Sequence, residues 1–279
     1  MAADEQPPDS LHQLILDYLD AQRVVITRGD VALRQGEEPI HRTRVAIRRY
    51  RSVLRVFADV FDPERAVALD AELSWFATLL GPVRDLHVLE RHLTGALAGL
   101  SEGVGVAAAA AVIESRLELD EAAARGTLKV ALSSARYDRL LSTLDDWQAN
   151  PPLVRADRHA TEVMGYVGAA ERKVSRRLRR APRSDNPDEA FHRARKAGKR
   201  ARYAAEVSRP VFGAVAKRRI KQAKRLQNDL GEMQDSVVAQ EFLQVLASDP
   251  ETPGAAGFVL GLLWAHEQWR QEKALHHVG

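Results

Sequence analysis

Two stretches of the sequence repeat an unusual arrangement of histidine and basic side chains. Residues 41–51 read HRTRVAIRRYR, and residues 192–202 read HRARKAGKRAR. Each begins with His-Arg-x-Arg, has a basic pair seven residues after the histidine, ends with arginine and contains no acid. Guanidinium groups present planar forks of donors that match phosphate oxygens. The repeated pattern therefore indicates a binding site for a polyanion.

At helical spacing, the basic side chains of each stretch gather on one face. Successive residues of an α-helix lie about 100° apart, so steps of three, four and seven residues return to the same side. The opposite face is apolar in the first stretch and rich in alanine in the second. Like charges at these spacings repel, and a bound polyanion would relieve the repulsion. The candidate ligand-binding residues are His41, Arg44, Arg48, Arg49, Arg51 and Arg55, with His192, Arg195, Lys196, Lys199, Arg200 and Arg202.

Two further basic segments could flank these faces. Lys217, Lys221 and Lys224 share one side of a predicted helix and join the candidate set. Residues 171–183 hold seven basic residues, and the sequence leaves open whether they bind the ligand or respond to the dipole of their own helix. For every basic segment, the alternative is a solvated face neutralised by acids of other helices. The repetition of the pattern favours the polyanion.

The distribution of charge supports a concentrated positive surface. The net charge is only +3, but segments 41–55, 171–183, 192–203 and 217–225 hold 25 of the 41 Lys and Arg and one of the 38 acids. The other 230 residues are therefore acidic, with a balance of −21. Such a distribution attracts polyanions to the basic zones.

A second motif occurs twice in the same order. Leu-Gly-x-x-x-Asp appears at 80–85 and at 230–235, and the interval from the preceding histidine to the glycine is 40 residues in one copy and 39 in the other. This regularity predicts an internal duplication, with halves at 10–150 and 151–276 divided near the paired prolines of 149–152. Asp85 and Asp235 could be catalytic, but we favour a structural interpretation in which each is a buried carboxylate that holds basic side chains.

The elements that must position these residues are helices. Apolar residues recur at helical spacing and strand-like alternation is nearly absent, so we predict an all-α fold of two helical-bundle halves. The predicted helices are 10–35, 38–60, 63–80, 82–99, 103–126, 134–149, 155–181, 187–208, 211–230, 231–247 and 254–276.

Several functional classes are disfavoured. The absence of cysteine excludes disulfides and thiolate chemistry. The acidic N-terminus does not resemble a signal peptide, and no apolar stretch approaches a membrane span, so we expect a cytoplasmic protein without a membrane partner. No carboxylate accompanies His41 or His192 at metal-ligand spacing, and His87, Glu90 and His92 form an imperfect cluster. We therefore expect no metal and no cofactor.

The two histidine-led stretches and both Leu-Gly-x-x-x-Asp motifs resemble the CHAD family, the conserved-histidine α-helical domain. The resemblance covers residues 10–275. It implies two pseudo-symmetric helical bundles, basic side chains along a shared groove or central pore, and noncatalytic binding of inorganic polyphosphate. It also suggests association with polyphosphate granules or regulation of phosphate storage. The strand signature of the CYTH domain, to which many members are fused, is not found in this sequence.

Two other functions compete with polyphosphate binding. Binding to the backbone of DNA or RNA would use the same basic helices and would be equally sensitive to salt. It is disfavoured because Tyr203 is the only aromatic near either cationic face, and bases are usually bound by stacking. An enzyme acting on phosphate esters or anhydrides would need clustered carboxylates for a metal ion, and the basic stretches contain almost none. Other polyanions remain possible partners; chain-length preference and oligomeric state are not determined by the sequence.

Overall fold

The protein is built from helices. The computed structural model describes the backbone of residues 8–100, 103 and 105–278, and their side chains except at 188, 228–234 and 274–278. Within these ranges there is no strand, only two isolated bridges that tie Ser10 to His159 and Phe61 to Leu153. The all-α prediction is confirmed. The helices are α1 (Leu11–Arg34), α2 (Ile40–Val56), α3 (Pro63–Ala98), α4 (Val106–Leu132), α5 (Ala135–Ala149), α6 (Val163–Arg180), α7 (Pro187–Val207), α8 (Arg209–Ala247) and α9 (Gly254–Val278), with short 3₁₀ turns at Ala160–Glu162 and Ala181–Arg183.

The chain folds into two compact units that are not its two sequential halves. Unit 1 comprises residues 1–80 and 131–227, and unit 2 comprises 81–130 and 228–279. Each unit therefore draws on both of the predicted segments 10–150 and 151–276. The predicted duplication is a relation between sequence segments, and it stays a prediction.

Capping residues explain where several helices begin. Ser10 and Ser134 precede α1 and α5, and their side chains accept hydrogen bonds from the backbone N–H three residues on. Asn186 does the same for α7, where Pro187 occupies the first helical position. These interactions satisfy donors that have no partner inside the helix. The helix that carries His192 therefore begins at a capping asparagine.

Two predicted helix breaks are wrong. α3 continues through Pro82, and α8 continues through Gly231. An exposed proline removes only one backbone donor from a long helix, and neighbouring turns keep theirs. The irregularity in α8 lies earlier, at Gly213, whose φ of 39° is in the left-handed region that favours glycine. α6 also begins later than predicted, after the 3₁₀ turn at 160–162.

The core of unit 1 determines which faces of α2 and α7, the two helices that carry His41 and His192, are buried. The apolar side of α2, from Ala46 to Leu54, is buried. The alanines of α7 predicted to face its neighbours are also buried, with Ala194 fully inaccessible and Ala201 4% exposed. α6 packs on this alanine face through Val167 and Val174. Small side chains on α7 let α6 approach closely, and the basic residues of both helices are turned away from the core.

Unit 2 has its own apolar core. It is formed by the second part of α3, α4, the second part of α8 and α9, with Leu93, Leu243 and Leu260 completely buried. A charged residue, Glu267, is also fully inaccessible in this unit. His92 Nε2 lies 2.9 Å from one of its carboxylate oxygens, and Arg270 Nε lies 3.9 Å from the same oxygen. Partnering of this kind is what allows an acid to be buried.

One helix differs from the sequence prediction about membranes. Because α3 does not break at Pro82, it reaches 36 residues, and an 18-residue window has a mean hydropathy of 1.2. By length and composition this helix could cross a bilayer. Core helices of soluble proteins have the same length and composition.

Candidate polyanion-binding site

The residues predicted to bind a polyanion all lie in unit 1, on α2, α7 and the first part of α8. Six of them are exposed: His41, Arg55, Lys196, Lys217, Lys221 and Lys224. The others are half-buried: Arg44, Arg48, Arg49, Arg51, His192, Arg195, Lys199, Arg200 and Arg202. None is sequestered in the core, so the helical-wheel assignment of a cationic side is consistent with the packing.

Direct contacts join α2 to α7. Arg48 Nε donates a hydrogen bond of 3.0 Å to the Tyr203 hydroxyl, and Arg49 Nε donates one of 2.9 Å to Glu206. Farther along α2, Arg55 lies close enough to Arg200 to repel it electrostatically. As the residue number rises on α2 it falls on α7, so the two helices run in opposite directions. The two histidine-led stretches are thereby brought side by side.

Glu206 neutralises one end of this helix pair. Its carboxylate is 13% exposed and accepts from Arg49, from Arg202 Nε at 3.0 Å and from the Tyr18 hydroxyl at 2.8 Å. Burial alone would lower the pKa of Arg49, but Glu206 outweighs burial and raises it. Burial, and then Glu206, raises the pKa of Tyr18, so its hydroxyl remains a donor. Arg49 and Arg202 are therefore held in fixed positions by a shared acid.

Asp70 of α3 performs the same role at the other end. It accepts from Arg51 Nε at 2.9 Å and from Arg55 Nη2 at 2.5 Å, and its side chain is 18% exposed. Burial alone would raise the pKa of Asp70, but hydrogen bonds from Arg55 and Arg51 outweigh it and lower the pKa. Arg51 and Arg55 are therefore neutralised by an acid of another helix. For these two arginines, the structure agrees with the alternative interpretation, in which the basic face is solvated and paired with acids.

Asp70 does not neutralise all the cations around it. Burial, followed by repulsion from Arg55 and Arg177, lowers the pKa of Arg200. Burial, followed by repulsion from Arg177 and Arg200, lowers the pKa of Lys173. Repulsion between like charges therefore adds to burial at both groups, which shows that cations of α2, α6 and α7 lie close together here. We call Arg51, Arg55, Lys173, Arg177 and Arg200 the cationic cluster.

The cationic cluster includes two residues of the 171–183 segment. Lys173 and Arg177 lie on α6, Arg51 and Arg55 on α2, and Arg200 on α7. Arg177 is anchored by a 2.7 Å hydrogen bond from its Nη1 to the Arg193 carbonyl. The packing of α6 on the alanine face of α7 brings its basic residues beside those of the repeated stretches.

The two acids assigned a structural role differ in burial. Asp85 is 50% exposed and accepts from the neighbouring Arg84 at 2.8 Å, so the expectation that it is buried is wrong. Asp85 shares an exposed side of α3 with Pro82, whereas Val83 points into the core. Asp235 is half-buried.

Sequence reasoning missed the acids that hold the arginines of unit 1. The pairing of Glu206 with Arg202 could have been predicted from the sequence, because Glu206 lies four residues after Arg202 on the same side of α7. The pairing of Asp70 with Arg51 and Arg55 could not, because Asp70 belongs to another helix. Tyr203 was noted only as an aromatic near the cationic face, and its role as acceptor for Arg48 was not foreseen.

The described residues contain no group of three or more His, Cys, Asp or Glu side chains arranged to hold a metal ion. His87 and His92, considered as a weak cluster, each pair with an acid of unit 2. His87 Nε2 lies 2.9 Å from Glu121, and His92 Nε2 lies 2.9 Å from Glu267.

These features define an all-α domain that concentrates cations from three helices on one unit. The chain belongs to the CHAD domain family, whose sequence profile matches residues 17–244. Members of this family are reported to bind polyphosphate, and the CHAD domain is generally a noncatalytic binding domain. No CYTH domain is evident in the matched region.

Two solved structures are similar in fold. The crystal structure of the CHAD domain from the plant Ricinus communis has a TM-score of 0.73 and 29% identity, covering 99% of this chain and 95% of that one. PptA from Streptomyces chartreusis has a TM-score of 0.79 and 23% identity, covering 96% and 97% of the two chains. Both support the all-α fold.

Curated relatives are present in Mycobacterium tuberculosis. Uncharacterized protein MT2285 of strain CDC 1551 / Oshkosh and uncharacterized protein Rv2226 of strain ATCC 25618 / H37Rv are each 30% identical to this chain over 275 residues. The match covers 94% of this chain and 50% of each relative. The chain therefore spans about half the length of the curated relatives it matches.

Proposed function

We propose that this protein binds inorganic polyphosphate, without catalysis, through the basic faces of α2 and α7 and the adjoining side of α6. The observation that carries the proposal is the convergence of basic side chains from α2, α6 and α7 at the cationic cluster, where burial, and then repulsion from neighbouring cations, lowers the pKa of Arg200 and Lys173. Folding that brings such groups together costs free energy, and a bound polyanion would recover it. We further propose that binding serves association with polyphosphate granules or regulation of phosphate storage in the cytoplasm.

The aromatic residues near the site favour polyphosphate over nucleic acid. Tyr203 is 1% exposed, and its hydroxyl is occupied by Arg48, so its ring has no free face on which a base could stack. Tyr50 of α2 is 2% exposed. A surface of guanidinium and ammonium groups recognises negative charge and the arrangement of acceptor oxygens, which are the only features that polyphosphate presents. Nucleic acid remains the competing ligand because its backbone carries the same charge.

Competition between the two polyanions tests the proposal. The protein is bound to labelled duplex DNA at moderate salt and titrated with long-chain polyphosphate, or with unlabelled DNA of equal total phosphate. We expect polyphosphate to displace the label at a lower phosphate concentration. Equal or weaker displacement by polyphosphate would favour a nucleic-acid-binding protein. Absence of binding to either polymer would reject both functions.

A further inference from the structure

A second cation-lined surface lies on the other side of α6. It is a groove of about 790 Å³, lined by four arginines together with Glu171, Ser175, Gly168 and Ala169. Three of the arginines, Arg172, Arg176 and Arg179, come from α6, and Arg219 comes from α8. We call this surface the α6 groove. None of its residues belongs to the set that the repeated motifs pointed to.

The spacing of basic residues on α6 produces this second surface. Arg172, Arg176 and Arg179 follow one another at four and three residues and share one face. Lys173 and Arg177 are each one residue further on, which rotates them by about 100° towards α7. α6 is thus a ridge with cations on two adjacent faces and an apolar third face in the core.

The lining of the α6 groove suits a phosphate-rich ligand. Four guanidinium groups face one carboxylate, Glu171, which is bonded to Arg219. Ser175 adds a hydroxyl, although its oxygen already donates to the Glu171 carbonyl. No aromatic side chain lines the groove, so it offers nothing for a base or a sugar to stack on. Gly168 leaves room for the Arg172 guanidinium, since a β-carbon there would come within 3.2 Å of its Nη1.

Arg176 connects the α6 groove to the cationic cluster. It lines the groove, and it is also close enough to Lys173 to contribute to the lowering of its pKa. The positive potential therefore continues across the α6 ridge without an intervening acid other than the partnered Glu171. A ridge of this kind is about the diameter of one helix, roughly 10–12 Å with side chains.

We propose that the α6 groove is a second oxyanion subsite, which takes phosphate groups of the same polyphosphate chain after the chain has crossed α6 from the cationic cluster. This inference rests on the proposed function and extends it to chain-length selectivity. A short oligophosphate fills either surface alone. A long chain engages both, and its second contact is intramolecular, so the affinity rises by effective concentration.

The experiment is a pair of titrations, with triphosphate and with long-chain polyphosphate, on wild type and four variants. Arg172→Gln/Arg179→Gln removes two exposed charges from the α6 groove. Ser175→Glu places a carboxylate in the groove, at helical spacing from Arg172 and Arg179, and leaves every arginine in place. Lys173→Gln/Arg200→Gln removes two charges from the cationic cluster. Arg65→Gln/Arg139→Gln is the matched control, because it removes two exposed charges of α3 and α5 that line neither surface.

We expect the groove variants to lose at least about tenfold in affinity for long-chain polyphosphate, because each arginine makes charge-assisted bonds. Their affinity for triphosphate should change by less than about threefold, since the cationic cluster still holds it. The control should behave as wild type does. Circular dichroism and thermal unfolding of each variant verify that the fold is kept.

Each other outcome has a definite meaning. If wild type prefers the long chain and only the cluster variant has a lower affinity for it, the α6 groove is not a subsite, while the proposed function stands. If all double variants, including the control, lose affinity equally, only net charge matters and the subsite is rejected. If wild type binds neither phosphate polymer, the proposed function itself fails.

Discussion

The replacement Asp70→Asn separates the structural role of the acid from the function of the arginines around it. Asparagine keeps the shape of the side chain and removes its charge. The Arg51 side chain is 21% exposed, and its hydrogen bond to Asp70 contributes about 1.5–3 kcal/mol to stability, as charged hydrogen bonds do. The bonds from Arg55, which is 40% exposed, add at most about 1 kcal/mol because solvent screens them. We therefore expect the free energy of unfolding to fall by about 2–4 kcal/mol.

The same replacement should strengthen the binding of polyphosphate. A phosphate on the outer edge of the Arg51 or Arg55 guanidinium lies roughly 6 Å from the Asp70 carboxylate, where two unit charges repel by about 0.7 kcal/mol in water and about 3 kcal/mol at an effective dielectric constant of 20. Removing the repulsion should raise the affinity at least about threefold at low salt. The gain should shrink as salt is added.

Two measurements on Asp70→Asn check this reasoning. Urea denaturation gives the change in the free energy of unfolding, and a titration with polyphosphate gives the change in affinity. Glu90→Gln, an exposed residue of α3, is the control with the same change of charge. A variant that is less stable and binds polyphosphate more tightly supports the account. Weaker binding by a folded variant would refute it, because Asp70 would then be needed to position the arginines for the ligand.

The structure also predicts how substitutions at three other residues change affinity or stability. Arg48→Lys should lose less affinity for polyphosphate than Arg48→Ala in the same titration, because it keeps the charge and loses only the planar fork. Glu206→Gln should lower the free energy of unfolding by about 3 kcal/mol in urea denaturation, because it leaves Arg49 and Arg202 without their shared acid. Burial alone would raise the pKa of Glu267, but the close approach of His92 and Ser236 outweighs it and lowers the pKa. Its contribution to stability is therefore complete above the unfolded pKa of about 4.3 and is lost as the pH falls further, so Glu267→Gln should flatten the acid limb of a plot of stability against pH.

The positions of the basic faces could be predicted from the sequence because they depend on local periodicity. The buried alanines of α7, from Ala194 to Ala205, and the buried apolar side of α2 lie where the helical spacing places them. The capping residues Ser10, Ser134 and Asn186 act on their own helices for the same reason.

What could not be predicted depends on contacts between distant segments. Asp70 neutralises Arg51 from another helix, and no spacing in the sequence relates the two. Lys173 and Arg200 interact because α6 packs on α7, which the sequence of neither helix specifies. The continuation of α3 through Pro82 depends on packing, since Leu80 and Val83 on either side of the proline are completely buried and offset the missing hydrogen bond.

Thermal unfolding of Lys173→Gln/Arg200→Gln, with and without long-chain polyphosphate, tests the central claim most directly. Both residues have lowered pKa values, so their charged forms are disfavoured in the folded protein and folding at neutral pH costs free energy. The account predicts that the double variant melts at a higher temperature than wild type without ligand, and that polyphosphate raises the melting temperature of wild type more than that of the variant. Arg65→Gln/Arg139→Gln should shift with polyphosphate as wild type does. Equal shifts in wild type and Lys173→Gln/Arg200→Gln would contradict the account, since the cationic cluster would then be a solvated face and not the binding surface.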